Sequence, residues 1–132
     1  MQRLALLLCL FAGAAQACVP ELPGAAGQQL ASPRYALIYR IEPAKIAVGR
    51  HFTIELALCA EGGEPPPESL KVDASMPEHR HGMNYKASVT AQAPGRYRAE
   101  GLMFHMAGRW ELAFELRAAG KTDRLTQSIV VE

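Results

Sequence analysis

The chain has 132 residues, with 14 Lys and Arg against 13 Asp and Glu and a formal net charge of +1. That length fits one domain, and cations scattered among acids at near-neutral charge exclude the concentrated basic surface that a nucleic-acid partner requires. No segment approaches the roughly 20 consecutive apolar residues that cross a bilayer as a helix, so no transmembrane span is expected in the mature chain.

The first 17 residues, MQRLALLLCLFAGAAQA, combine one arginine, an apolar run and the small-x-small ending Ala15-Gln16-Ala17. This is the form of a secretory signal peptide, with cleavage expected after Ala17 and a periplasmic or exported destination. Cleavage removes Arg3 and leaves about 115 residues with balanced charge. A chain of that size buries roughly two-thirds of its unfolded surface in one core. Cys9 leaves with the signal, so Cys18 and Cys59 remain as a pair in an oxidising compartment, where a disulfide is the simplest use of them. Its loop of about 40 residues would stabilise the fold by roughly 4 kcal/mol through the unfolded chain. The competing use is a lipid anchor on Cys18 as the first mature residue, although the large aliphatic residue expected three positions before such a cysteine is missing.

Residues 18–34, rich in Pro, Gly, Ala and Gln, read as an irregular lead-in, and residues 35–132 as the folded domain. Tyr35, Leu37, Tyr39 and Ile41 alternate, as do Phe52, Ile54, Leu56 and Leu58, the pattern of half-buried strands. GGEPPPE, 62–68, is a loop because its prolines lack backbone donors. SLKVDAS, YKASVTAQ, RYRAEGLMF, WELAFEL and LTQSIVV supply five further strand candidates. About seven short strands at this spacing predict an all-β, immunoglobulin-like antiparallel sandwich. Tyr97, two residues after Gly95, is either a tyrosine corner or an ordinary strand tyrosine. Trp110 alternates with Leu112, Phe114 and Leu116 and is expected in the core. Gly101 is a candidate bulge. With a bulge, Leu102, Phe104 and Met106 face inward and Met103 and His105 outward; without one the register to Tyr97 and Ala99 reverses this.

MPEHRHGMNY, 76–85, is the chemically distinctive stretch. In an extended backbone His79 and His81 share a side, and a bend at Gly82 would return Met83 towards them. Met76 closes the other side, and FHM, 104–106, adds His105 and a further thioether. Imidazole with thioether is a borderline-to-soft donor set that discriminates copper from magnesium, calcium or manganese, and thioethers serve zinc poorly. His79, His81 and Met83, completed by Met76 or His105, are therefore the candidate copper ligands. The bland alternative is a solvated loop with methionines filling gaps. His51 stands alone and reads as surface or structural. No nucleophile elbow, HExxH or paired carboxylates point to an enzyme.

VDASMPEHRHGMNY, followed by GRYRAEGLMFHMAGRWELAFEL, resembles the YtkA-like family of small exported bacterial domains, related to FixH-like proteins, from Tyr35 to the end. The resemblance implies an immunoglobulin-like sandwich in the cell envelope. Because FixH-like relatives are linked to assembly of copper-containing oxidases, it also implies, by analogy, a copper-related role. FixH-like proteins carry a membrane anchor where this chain has a cleavable-looking signal. Two functions follow as expectations: a periplasmic accessory protein that holds copper or transfers it to an envelope protein, or a metal-free module that docks a partner through the same loop, with Tyr85 and Met83 as apolar contacts.

Overall fold

The computed structural model describes residues 17–24 and 26–132, so most of the expected signal peptide lies outside the described residues. The described residues form nine strands, β1 (Gln28–Ala31), β2 (Tyr35–Glu42), β3 (His51–Ala60), β4 (Ser69–Met76), β5 (His81–Gly82), β6 (Ser88–Ala93), β7 (Arg96–Met103), β8 (Gly108–Ala118) and β9 (Lys121–Val131). They build two antiparallel sheets, ordered β1-β2-β3-β7-β6 and β5-β4-β8-β9. The expected sandwich is found, with two more strands than the alternation indicated. β1 lies within the lead-in and is mostly exposed, so it carries no apolar alternation to mark it; it exists because Gln28–Ala31 pair with Tyr39–Ala36 of β2. β5 is only two residues long, and pairing with β4 rather than any local pattern creates it. No helix among the described residues is long and apolar enough to cross a membrane.

The two inner faces close on one core. Tyr35, Leu37 and Tyr39 of β2 and Phe52, Ile54 and Leu56 of β3 meet Val72, Ala74 and Met76 of β4 and Trp110, Leu112, Phe114 and Leu116 of β8. Tyr39 against Phe114, with ring centroids 5.0 Å apart, ties the sheets at mid-height. At one end Phe104 stacks on Trp110 at 4.5 Å and 8° while meeting Phe52 edge-on at 4.9 Å. These offset and edge-to-face arrangements suit the ring quadrupoles. Tyr97 is half-buried against this core. It is Tyr35 whose hydroxyl returns to backbone, donating to the Pro65 carbonyl at 2.8 Å.

Gly101 settles the question the sequence left open. Its φ of +84° is a left-handed conformation, and the β3–β7 register passes from Phe52↔Leu102 to Ile54↔Ala99, one extra residue on β7. This is a bulge of the glycine type. It puts Ala99, Leu102 and Phe104 in the core and turns Met103 and His105 away from that row. Met106, expected inward, is instead exposed at 36%, because the strand ends at Met103 and the chain is already crossing to β8.

At the opposite end Cys18 and Cys59 form a disulfide. Beside it the Arg34 guanidinium donates to Asp123 at 2.8 Å and Ser32 donates to the same carboxylate at 2.5 Å, locking the start of β2 to β9.

Candidate metal centre

The antiparallel pairing places imidazole and thioether groups together. β3 begins at His51 where β7 ends at Met103, β4 ends at Met76 opposite His81 of β5, and residues 104–107 cross between the sheets at that same end. Every histidine, and each methionine after Met1, therefore lies at one pole of the sandwich.

His81 reaches this pole through a turn rather than the extended backbone expected from the sequence. His79 N–H donates to the Met76 carbonyl at 3.1 Å, and the left-handed residue is Arg80, at φ +56°, not Gly82. A non-glycine in that region costs of order 1 kcal/mol, and the 77–80 turn is tethered from outside. Arg109 donates to Glu78 at 2.7 Å, and this hydrogen bond holds the Glu78 carboxyl below its usual range. Because Met76 and His81 are cross-strand partners, their side chains share a face. Met76 is 2% exposed, so His81 is drawn inward over the core's end.

His81 lies close to the Sδ atoms of Met76 and Met106. Its ring centroid is 5.1 Å from His105, 5.7 Å from His79 and 6.0 Å from Trp110. The His81 Nδ1 sits 3.1 Å from the Gly82 carbonyl. A carbonyl only accepts, so this contact selects the tautomer with the proton on Nδ1, which in the neutral ring leaves the Nε2 lone pair free, the arrangement by which backbone orients metal-binding imidazoles. His105 completes the group from the crossing between the sheets, with its Nδ1 buried and without a hydrogen-bond partner among the described residues. Burying such an atom unpaired costs roughly 1–3 kcal/mol, which a bound cation would offset.

Two neighbours shape the space. Trp110 is fully buried and donates its indole N–H to the Met106 carbonyl at 3.0 Å, fixing the 104–107 crossing. Gly108 leaves room for Met76, since a Cβ there would lie 2.7 Å from the Met76 methyl. Among the described residues no three His, Cys, Asp or Glu side chains gather as a metal site; the donors that do gather are imidazole and thioether, which fit a soft ion.

The sequence pattern of the YtkA-like family matches residues 37–115, more than half of the chain. The chain belongs to the YtkA-like family. The match begins in β2 and ends in β8, so the YtkA-like region contains the histidine turn, the bulge and the crossing. No curated protein and no solved structure matches the chain. The disulfide and the YtkA-like domain both fit an exported protein.

Of the five expected ligands, His81 and Met76 are adjacent, His105 joins them from the 104–107 crossing, and His79 is exposed at the rim. Met83 packs half-buried against the core, because the backbone bends at Arg80 and Met83 then continues the pairing, donating its N–H to the Ala74 carbonyl. Met106 takes the thioether position expected of Met83. Its signal was present in FHM, but without the chain crossing at 104–107 nothing pointed it at His81.

Proposed function

We propose that this protein carries copper in the cell envelope, taking the ion at the His81, His105, Met76 and Met106 cluster and passing it to a partner protein. The supporting observation is the proximity of His81 to both thioether sulfurs beside a buried, unpartnered His105 Nδ1. Two thioethers favour Cu(I) over Cu(II), and the apolar wall of Trp110 and Phe104 limits water, which Cu(II) would demand as ligand. Exchange is the natural chemistry of such a site: His79 at the rim, 5.7 Å from His81, can take the ion from the inner donors and present it to an incoming ligand. A docking role without metal keeps only the exposed Tyr85, at 50%, of its two expected contacts, since Met83 packs half-buried against the core; chelation leaves partner capture unchanged on that reading and abolishes it on ours.

The test is competition titration of the mature protein with Cu(I) against a chromophoric chelator, with the emission of the single tryptophan, Trp110, as a local readout. Replacing His81→Ala together with Met106→Leu is expected to weaken Cu(I) binding by at least about tenfold, while His79→Ala leaves affinity nearly intact and slows transfer. Equal affinity in the wild type and the double variant defeats the assignment.

A further inference from the structure

The other sheet presents an imidazole and a thioether that the cluster around His81 does not use. His51 opens β3 and Met103 closes β7, and the two are direct cross-strand partners. Their neighbours Phe52 and Leu102 point into the core, so by strand alternation His51 and Met103 both stand on the outer face, where paired Cβ atoms lie about 4.5–5.5 Å apart. His51 is not a freely rotating surface histidine. Its Nδ1 lies 3.3 Å from the Leu102 carbonyl, a contact that again selects the Nδ1–H tautomer, whose neutral ring leaves the Nε2 lone pair available. The ring is braced on another side by Tyr85, edge-on at 5.3 Å. This repeats the orientation found at His81, a ring held through Nδ1 by a main-chain carbonyl beside a methionine on a paired strand.

We propose that His51 and Met103 form a second, outward-facing site for a soft monovalent cation, Cu(I) in the envelope. One nitrogen and one thioether suffice for a d10 ion of low charge, which accepts few ligands, whereas harder ions require oxygen donors in greater number. A site with two donors on an open face binds more weakly than the four-donor cluster, and that suits loading or release. It extends the copper reading above and shares its ligand chemistry, but it stands on different residues in a different sheet. Both sites lie at the same pole, with the 81–85 segment running between them from His81 to Tyr85, so a partner covering that pole meets both.

Silver(I), a redox-inert soft monovalent probe, distinguishes the two. The folded full-length mature protein is titrated while the histidine ring nitrogens and methionine methyl groups are followed by NMR. The expected result is two saturating events, one moving His81, His105 and Met106 and a weaker one moving His51 Nε2 and the Met103 methyl. The surface variant His51→Ala/Met103→Leu should lose only the second and reduce the bound silver from two ions to one. Movement confined to the His81 group, or unchanged stoichiometry in the variant, overturns the second site and leaves the first. Saturation at His51 and Met103 alone upholds this proposal and overturns the carrier site, and no saturating shift at either pair overturns both.

Discussion

A Cβ on Gly108 would sit 2.7 Å from the Met76 methyl, and the residue's φ of +126° is one that side chains rarely adopt. Gly108→Ala therefore strains the backbone and forces the Met76 methyl, next to the sulfur, to shift. Overpacking of this kind costs roughly 1–3 kcal/mol, and we expect Cu(I) affinity to fall by about tenfold as Met76 leaves the donor set. Thermal melting and Cu(I) competition measured on the same variant separate the effects: lost stability with unchanged affinity would make Met76 purely a core residue. The residue types of the site were legible in the sequence, as His79, His81, Met76 and His105 were all singled out there. Gly108 was not, because its role depends on a contact between β8 and the end of β4 that only the folded sheets bring about. His51 was read as structural for a related reason, since its partner Met103 is fifty-odd positions away and meets it only through the register set by the Gly101 bulge.

Among the elements, alternation revealed the long strands and missed the short ones. β2 and β3 show their buried rows directly as Tyr35, Leu37, Tyr39 and as Phe52, Ile54, Leu56. β1 and β5 have no such row, because edge pairing rather than burial forms them. The link between β2 and β9 was equally invisible, being an ionic contact between distant residues. Ser32 and then Arg34 hydrogen bond the Asp123 carboxyl and hold its pKa below the usual range, against burial, which pushes it up. A carboxyl whose folded pKa is lowered stabilises the fold above its unfolded value, and that contribution is lost as pH falls through the folded value. Wild-type melting temperature should thus decline as the pH drops through and below about 4, the unperturbed Asp region. Asp123→Asn should lower the neutral-pH melting temperature by roughly 5 °C and flatten that acid limb. Parallel pH profiles of the two proteins would expose an Asp123 that does not contribute.

At the scale of the whole molecule, the sandwich separates anchorage from chemistry. The disulfide and the Arg34–Asp123 contact sit at one pole and the histidines and methionines at the other. β3 spans the distance, from His51 at its start to Cys59 near its end, roughly 26 Å at 3.3 Å per residue. A cross-link over 41 residues acts chiefly on the unfolded chain, by about 4 kcal/mol on the entropy model. Between the poles lies a core that is close-packed and apolar, with Tyr39, Leu56, Leu112 and Phe114 all buried. Such a core holds the far strands in register without help from the cross-link, so long as the domain remains folded. The double variant Cys18→Ser/Cys59→Ser should therefore unfold at a markedly lower urea concentration, with a stability loss of about 4 kcal/mol, while its Cu(I) affinity at temperatures well below the melt stays within about twofold of wild type. Affinity that falls in step with stability would mean that the lead-in and its cross-link help position the metal pole, and that the two ends of the sandwich are mechanically coupled through β3.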